Sequence, residues 1–224
     1  MAGSGNDVTL DAQGGSITEN ADAASDVTAD VLTADAAGSV DLDTTVISTD
    51  ISTSAAGGVN IDETDAITLA DVDTSDGSIT IDAGGDITAT DVDSSSTDDD
   101  SNDITLTSTG GSIEATSVVA GSVNDVTLNA QGGSIDSTTD DGTADVTGDV
   151  VDLVAASGGI GTTSPVDVTA ASQLNADSTA DNGDIVIDGI GDTPVGVITA
   201  GAAGGDIELD STGAISDTNN GVAS

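Results

Sequence analysis

Every titratable side chain of this chain is a carboxylate. The segment Asp91–Asp103, DVDSSSTDDDSND, holds six of them: Asp91, Asp93, Asp98, Asp99, Asp100 and Asp103. Ca²⁺ takes about six to eight oxygen ligands from flexible carboxylates and carbonyl groups. The segment therefore predicts a calcium loop. The alternative is a solvated loop inserted between two repeats.

A second acidic segment precedes the first. It runs from Asp71 to Asp82, DVDTSDGSITID, and its acids are Asp71, Asp73, Asp76 and Asp82. Neither segment is an EF-hand loop, which needs Gly at position six and Glu at position twelve. The first has Ser96 and Asn102 there, and in the second Gly77 comes one place late. The second segment is a further calcium candidate, with a plain turn and strand as the alternative.

The missing residue types exclude most catalytic chemistry. The 224 residues include 42 Asp and Glu but no Lys, Arg, His, Cys, Phe, Tyr or Trp, so the formal net charge is -42. No His base, Cys nucleophile, Lys Schiff base or Arg clamp is available. The His and Cys side chains that usually bind zinc are absent. We therefore expect no enzyme and no organic cofactor. Among metals, only hard cations that bind oxygen ligands remain, and Ca²⁺ is the candidate.

The same composition limits the partners. Neutralising nucleic-acid phosphates requires Lys or Arg, and single-strand stacking requires aromatic rings, so we expect no nucleic acid. Anionic membrane surfaces would repel the chain. The sequence has no run of about 18 apolar residues, so we expect no membrane insertion.

Repeats supply the main structural signal. The segment NDVTLDAQGGSI at residues 6–17 returns as NDVTLNAQGGSI at residues 124–135, with one difference. A shorter unit recurs at an interval of roughly 20 residues, which is within the range of solenoid repeats. It consists of a small or acidic residue, Val or Ile, any residue, an aliphatic, then Asp, Asn or Thr. From Val40 onward its leading aliphatics are Val40, Val59, Ile79, Ile104, Val126, Val146, Val166, Ile185 and Ile207.

A weaker strand follows each unit, often after a Gly-Gly or Gly-Ser pair that suits a corner with positive φ. Short strands, glycine corners and this short period are typical of a parallel β-helix, in which each coil stacks on the last. We predict an all-β, right-handed parallel β-solenoid of about ten coils. A β-sandwich is the alternative. The stretch from Ala21 to Val40 does not fit the period.

Alternation within the strands predicts which side chains are buried. The expected core files contain Val8, Leu10, Val59, Ile61, Ile79, Ile81, Ile104, Leu106, Val126, Leu128, Ile185, Ile187, Ile207 and Leu209. The expected outward file after each strand contains Asp43, Asp62, Asp82, Thr107, Asn129, Asp149, Thr169, Asp188 and Asp210. Stacked carboxylates about 5 Å apart repel one another, so the rod should depend on Ca²⁺ or on high salt.

Three segments of the sequence resemble filamentous-haemagglutinin-like exoproteins and related giant repetitive bacterial surface adhesins. They are NDITLTSTGGSI at 102–113, NDVTLNAQGGSI at 124–135 and VDLVAASGGIGTTSPVDVTA at 151–170. The resemblance implies secretion, a long rod at the cell surface, and a structural or adhesive role. It also implies contacts with neighbouring repeats and with host or cell-surface glycans or proteins.

Two other functions stay open at this point. The chain could be a self-assembling subunit of an extracellular filament or sheath, stacking copies of itself end to end. A carbohydrate-active β-helix enzyme is the remote alternative, because such enzymes use this fold and paired carboxylates. For domain organisation, we expect residues 1–5 to be a cloning remnant or a disordered start. We expect residues 6–224 to be one solenoid excerpted from a longer array.

Overall fold

A computed structural model describes residues 5–19, 24–98, 101–179 and 183–219, and these residues contain β-strands and no helix. The strands are β1 (Val8–Ala12), β2 (Ile17–Thr18), β3 (Val27–Ala36), β4 (Val40–Ala56), β5 (Val59–Glu63), β6 (Ile67–Asp76), β7 (Ile79–Ala83), β8 (Ile87–Ala89), β9 (Val92–Asp93), β10 (Ile104–Ser108), β11 (Ile113–Ala115), β12 (Val118–Val119), β13 (Val126–Ala130), β14 (Ile135–Ser137), β15 (Val146–Ala155), β16 (Val166–Ser178), β17 (Ile185–Gly189), β18 (Thr193–Thr199), β19 (Ile207–Ser211) and β20 (Ile215–Asp217). No helix that could span a membrane is found in these ranges.

Every strand pairs in parallel with a strand one coil away, which confirms the predicted all-β parallel solenoid. The chain makes about nine turns. Strands of successive coils lie about 4.8 Å apart. The pairings define three faces, which follow one another around each coil. The handedness stays a prediction.

The first face carries a file of stacked aliphatic side chains. Each member pairs in register with the next, and all are almost fully buried: Val40, Val59, Ile79, Ile104, Val126, Val151 and Leu174. Identical or similar aliphatic side chains, most of them β-branched, repeat their packing at each coil, so no aromatic ring is needed to fill the narrow core.

The second face carries a file of seven isoleucines in consecutive register: Ile67, Ile87, Ile113, Ile135, Ile160, Ile185 and Ile207. All are at most 2 % exposed except Ile207, at the end of the file. The third face is lined by Ile51, Val72, Val92, Val118, Val146 and Val168, all buried. Three apolar files thus meet along the axis of the solenoid.

The predicted register is correct from Val40 to Val126 and wrong beyond it. Val126 pairs with Val151, whereas Val146 lies on the third face beside Val118 and Val168. The coil from Val126 to Val151 contains an extra loop before Val146. Counting one average repeat length onward from Val126 therefore reaches Val146, which lies on the third face instead of the first.

The later members of the predicted series are displaced for the same reason. Val166 pairs with Ile187, while Ile185 and Ile207 belong to the isoleucine file of the second face. Each still leads a strand. The local unit was therefore identified correctly and its place around the coil was not.

The stretch that did not fit the period forms a coil that is shorter than those after it. Strand β3 pairs with β4, so that Val27 lies beside Thr44 and Ala36 beside Thr53. On its other side, β1 pairs with the end of β3. Residues 20–23 and 1–4 lie outside the described part of the chain, as does most of the expected N-terminal remnant.

Glycine corners between the first and second faces allow the coils to approach closely. A Cβ atom on Gly110 would lie 2.5 Å from the Gly84 carbonyl oxygen, and one on Gly132 would lie 2.2 Å from the Gly110 carbonyl carbon. Neither Gly110 nor Gly132 has positive φ, so that expectation is wrong for these corners. Here glycine serves to remove a clash between coils.

The expected core residues are buried in the middle coils and less buried in the coils at the two ends. All the predicted residues from Val59 to Ile187 are buried, whereas Val8, Leu10 and Leu209 are only partly buried. Ile207 is 51 % exposed, so its predicted burial is wrong. Its strand β19 pairs on one side only, with β17.

Candidate functional site: acidic side chains on the solenoid faces

The fold joins the two predicted calcium segments across neighbouring coils. Asp73 and Asp93 are register partners in β6 and β9, and the Val72 N–H donates to the Asp91 carbonyl oxygen at 3.0 Å. Asp71 lies beside Asp73 in the same strand. Asp73 is exposed at the surface, but partial desolvation, together with the charges of Asp71, Asp93 and Asp91, raises its pKa to about 6. Four carboxylates thus form one acidic patch on the third face.

Two other members of the first segment serve as hydrogen-bond acceptors between coils. Asp98 Oδ1 accepts from the Ser122 N–H at 3.0 Å, and its Oδ2 accepts from the Ser122 hydroxyl at 3.1 Å. Asp103 Oδ1 accepts from the Asp125 N–H at 2.8 Å. Asp99 and Asp100 lie outside the described residues.

The remaining members of the second segment lie apart from the patch. Asp76 pairs with Ala56, whereas Asp82 lies on the first face. There it continues the predicted aspartate file, in which Asp43 pairs with Asp62 and Asp62 with Asp82. Asp62 is exposed, but partial desolvation and the charges of Asp82 and Asp41 raise its pKa.

The aspartate file borders a surface groove of about 540 Å³ whose acidic lining residues are Glu19, Asp43, Asp62, Glu63 and Asp82. Beyond Asp82 the outward file continues as predicted through Thr107 and Asn129. It then meets Val154 instead of Asp149, because the register changes at the longer coil. The predicted pair Asp188 and Asp210 is correct, but Asp188's other partner is Asp167, and Thr169 lies beside Thr147.

Buried acids elsewhere were missed by the sequence-based reasoning. Asp136, Asp145 and Asp167 are at most 7 % exposed. Asp136 accepts from the Thr163 N–H at 2.8 Å and from the Ser134 hydroxyl at 2.6 Å.

Asp145 Oδ2 accepts from the Asp167 N–H at 2.9 Å. Burial is the main cause that raises the pKa of Asp145 to about 6. The available signal was the long insertion between Ile135 and Val146, which is enough chain to cover a neighbouring acid.

Chemically, these surfaces offer oxygen ligands and hydrogen-bond acceptors. In the described ranges, no group of three or more acidic side chains is arranged to hold a metal ion, so calcium binding at the predicted segments stays a prediction. The chain matches no family model, no curated protein and no solved structure.

Proposed function

We propose that this chain is a non-catalytic stalk segment of an extracellular bacterial adhesin or surface protein. The observation that carries the proposal is the continuity of the three buried files over successive coils. Such a molecule is a stiff rod that gains roughly 4.8 Å per coil, so about nine coils give a length of about 40–45 Å. Adding coils lengthens the rod without changing its cross-section. A stalk needs this property.

Calcium fits this function as a bound cofactor. The acidic patch and the aspartate file concentrate carboxylates on neighbouring coils, and the chain has no basic side chain to offset them. Divalent cations bridging these carboxylates would stabilise the rod. Neighbouring repeats are the expected partners along the rod, and host or cell-surface glycans or proteins are the expected partners at the cell surface.

Surface labelling tests the proposal. Antibodies raised against the purified chain should label intact cells that produce the native protein, and mild extracellular proteinase K should remove the label. A cytoplasmic marker in the same cells serves as the control and should stay protected. Label that appears only after permeabilisation would contradict an extracellular role.

A self-assembling filament subunit is the second candidate, and one observation favours it. Ile207 and Ile215 on the last described coil are 51 % and 55 % exposed, so another coil would bury them. Sedimentation and negative-stain microscopy across a concentration series separate the two functions. A stalk segment should remain a short monomeric rod, whereas a filament subunit should form fibres of constant width whose length grows with concentration. Ile207→Asp should abolish such fibres.

A further inference from the structure

Asp167 is an outward-facing carboxylate that is nevertheless buried. It lies in β16 between Val166 and Val168, whose side chains point into the core, so its own side chain points away from the core. It is only 1 % exposed. The segment 138–144 of the preceding coil covers it, and the Gly142 N–H donates to Asp167 Oδ2 at 3.0 Å.

The other carboxylate oxygen of Asp167 is left without a partner. Oδ1 is buried and accepts no hydrogen bond. A buried polar atom of this kind costs free energy unless something binds it, and a carboxylate costs more than a neutral group. No Lys, Arg or His exists in the chain to bind it. The partner of Oδ1 must therefore come from solution, as a proton, a water molecule or a cation.

The neighbouring coils supply further carboxylates in register. Asp167 pairs with Asp188, and Asp188 pairs with Asp210. Exposure increases along this series: Asp167 is buried, Asp188 is half-buried and Asp210 is exposed. All three line a groove of about 340 Å³, together with Gly142 of the covering segment. This local concentration of negative charge favours a cation over a neutral partner.

The spacing of the series suits a divalent cation. Neighbouring strands lie about 4.8 Å apart, and a calcium ion lies about 2.3–2.6 Å from each of its oxygen ligands. A calcium ion midway between two carboxylates stacked at this spacing would therefore lie at its ordinary ligand distance from one oxygen of each. A smaller Mg²⁺ ion needs distances of about 2.0–2.1 Å and would fit less well.

The covering segment brings a third acid near this pair. Burial is the largest cause that raises the pKa of Asp167 and of Asp188. The neighbouring charge in the series (Asp188 for Asp167, and Asp210 for Asp188) and then the charge of Asp140 add to both shifts. Asp140 is exposed, so its side chain can turn toward an ion between the other two. This turn is required, since the described side chains hold no ready-made set of three acids. Water and main-chain oxygens would complete the shell.

We propose that Asp167 and Asp188 bind one Ca²⁺ ion between their carboxylates, with Asp140 closing over it from the covering segment. The ion satisfies Asp167 Oδ1 and fastens segment 138–144 to the two coils that follow. The site is separate from the patch at Asp71, Asp73, Asp91 and Asp93, and it does not depend on the stalk function. It lies where the coil length departs from the regular period.

Calorimetric titration with CaCl₂ tests the site in the full chain after dialysis against chelator. Thermal melts are followed by far-UV circular dichroism, because the chain has no aromatic fluorophore. Asp167→Asn keeps the size of the side chain and removes one ligand charge. Asp177→Asn is the matched control: Asp177 is half-buried in the same strand, and its register partners are the uncharged Val154 and Thr199.

We expect Asp167→Asn to lose one bound ion per chain and most of the calcium-induced rise in Tm, whereas Asp177→Asn keeps both. In chelator, Asp167→Asn should melt at the same or a higher temperature than the parent, because it removes an unpaired buried charge. Asp188→Asn should also lose the ion, and it replaces Asp167→Asn in the experiment if that variant does not fold. Equal calcium stoichiometry and equal calcium-induced Tm shifts in the parent and both site variants would overturn the proposal. They would mean that Asp167 holds a proton or a water molecule instead.

Discussion

The hydroxyl of Thr44 donates a 2.7 Å hydrogen bond to Glu63 Oε2, its register partner on the next coil, inside the solenoid wall. The same oxygen accepts from the Val46 N–H at 3.0 Å, and Oε1 accepts from the Asp65 N–H at 3.2 Å. Glu63 is 4 % exposed, and this burial raises the pKa of its carboxyl group. One buried acid thus ties two coils together through three donors.

Replacing Glu63 should destabilise the fold, although the chain carries an excess of negative charge. Glu63→Ala leaves the Thr44 hydroxyl and the Val46 N–H buried without an acceptor, which costs about 1–3 kcal/mol. The adjacent Asp62 is the matched control, since it is exposed and stands between Asp43 and Asp82. In chelator at low salt, Asp62→Ala should raise stability because it removes like-charge repulsion. Urea unfolding at neutral pH measures both effects. If the two variants change the free energy of unfolding in the same direction, Glu63 is not the buried acceptor described here.

The isoleucine file should show a strong dependence on position. Ile113 is completely buried in the middle of the file, whereas Ile207 is half-exposed at its end. Ile113→Ala should therefore lower the free energy of unfolding by about 2–5 kcal/mol, the usual range for a buried isoleucine. Ile207→Ala should cost much less in the monomer. Equal losses in urea-unfolding experiments would mean that the second face is not continuously packed.

Gly132 and Gly14 occupy the same place in the two copies of the long repeat and have different surroundings. A Cβ atom at Gly132 would lie 2.2 Å from the Gly110 carbonyl carbon, whereas one at Gly14 meets nothing within 4 Å. Gly132→Ala should therefore lower Tm clearly, and Gly14→Ala should leave it nearly unchanged. Circular-dichroism melts of the two variants make the comparison. A large effect at Gly14 would contradict the open position of the first coil.

Stability in chelator at low salt should fall as pH rises. Asp73 and Asp145 have pKa values of about 6 in the folded chain, above the ordinary value of 3.8. Protons held more tightly in the folded state give stability that is fully present below pH 3.8 and is lost as pH rises through about 6. Tm should therefore decrease between pH 4 and pH 7. The double variant with Asp73→Asn and Asp145→Asn should show a weaker dependence. A Tm that increases over this range would contradict the pKa shifts.

Added salt and added calcium should both raise Tm, as acid does. Added NaCl screens exposed carboxylates within a Debye length, and Ca²⁺ neutralises pairs of them. Melts at pH 7 in chelator, in molar NaCl and in millimolar CaCl₂ should give rising Tm values in the two supplemented samples. Unchanged melting in both would mean that repulsion between stacked aspartates has no effect on the fold.

The sequence by itself determined the strands and the alternation within them. In NDVTLNAQGGSI, Val126 and Leu128 alternate with polar residues, and Gly132 and Gly133 mark the corner before Ile135. This local pattern predicted the parallel solenoid correctly because inward aliphatics, outward polar residues and close corners are all properties of neighbouring residues. It also predicted the pairing of Asp43, Asp62 and Asp82, where consecutive coils keep a nearly constant length.

Only the tertiary structure decided which face each unit occupies. The two copies of the repeat show this: Leu128 lies on the first face beside Leu153, whereas its counterpart Leu10 pairs with Ala34, whose own partner Ile51 lines the third face. The three faces offer similar aliphatic environments, so a strand unit fits any of them. Its place depends on the total length of all the loops before it. The burial of Asp167 has the same origin, because a loop from the preceding coil covers it, and such a contact between coils leaves no mark in the residues beside it.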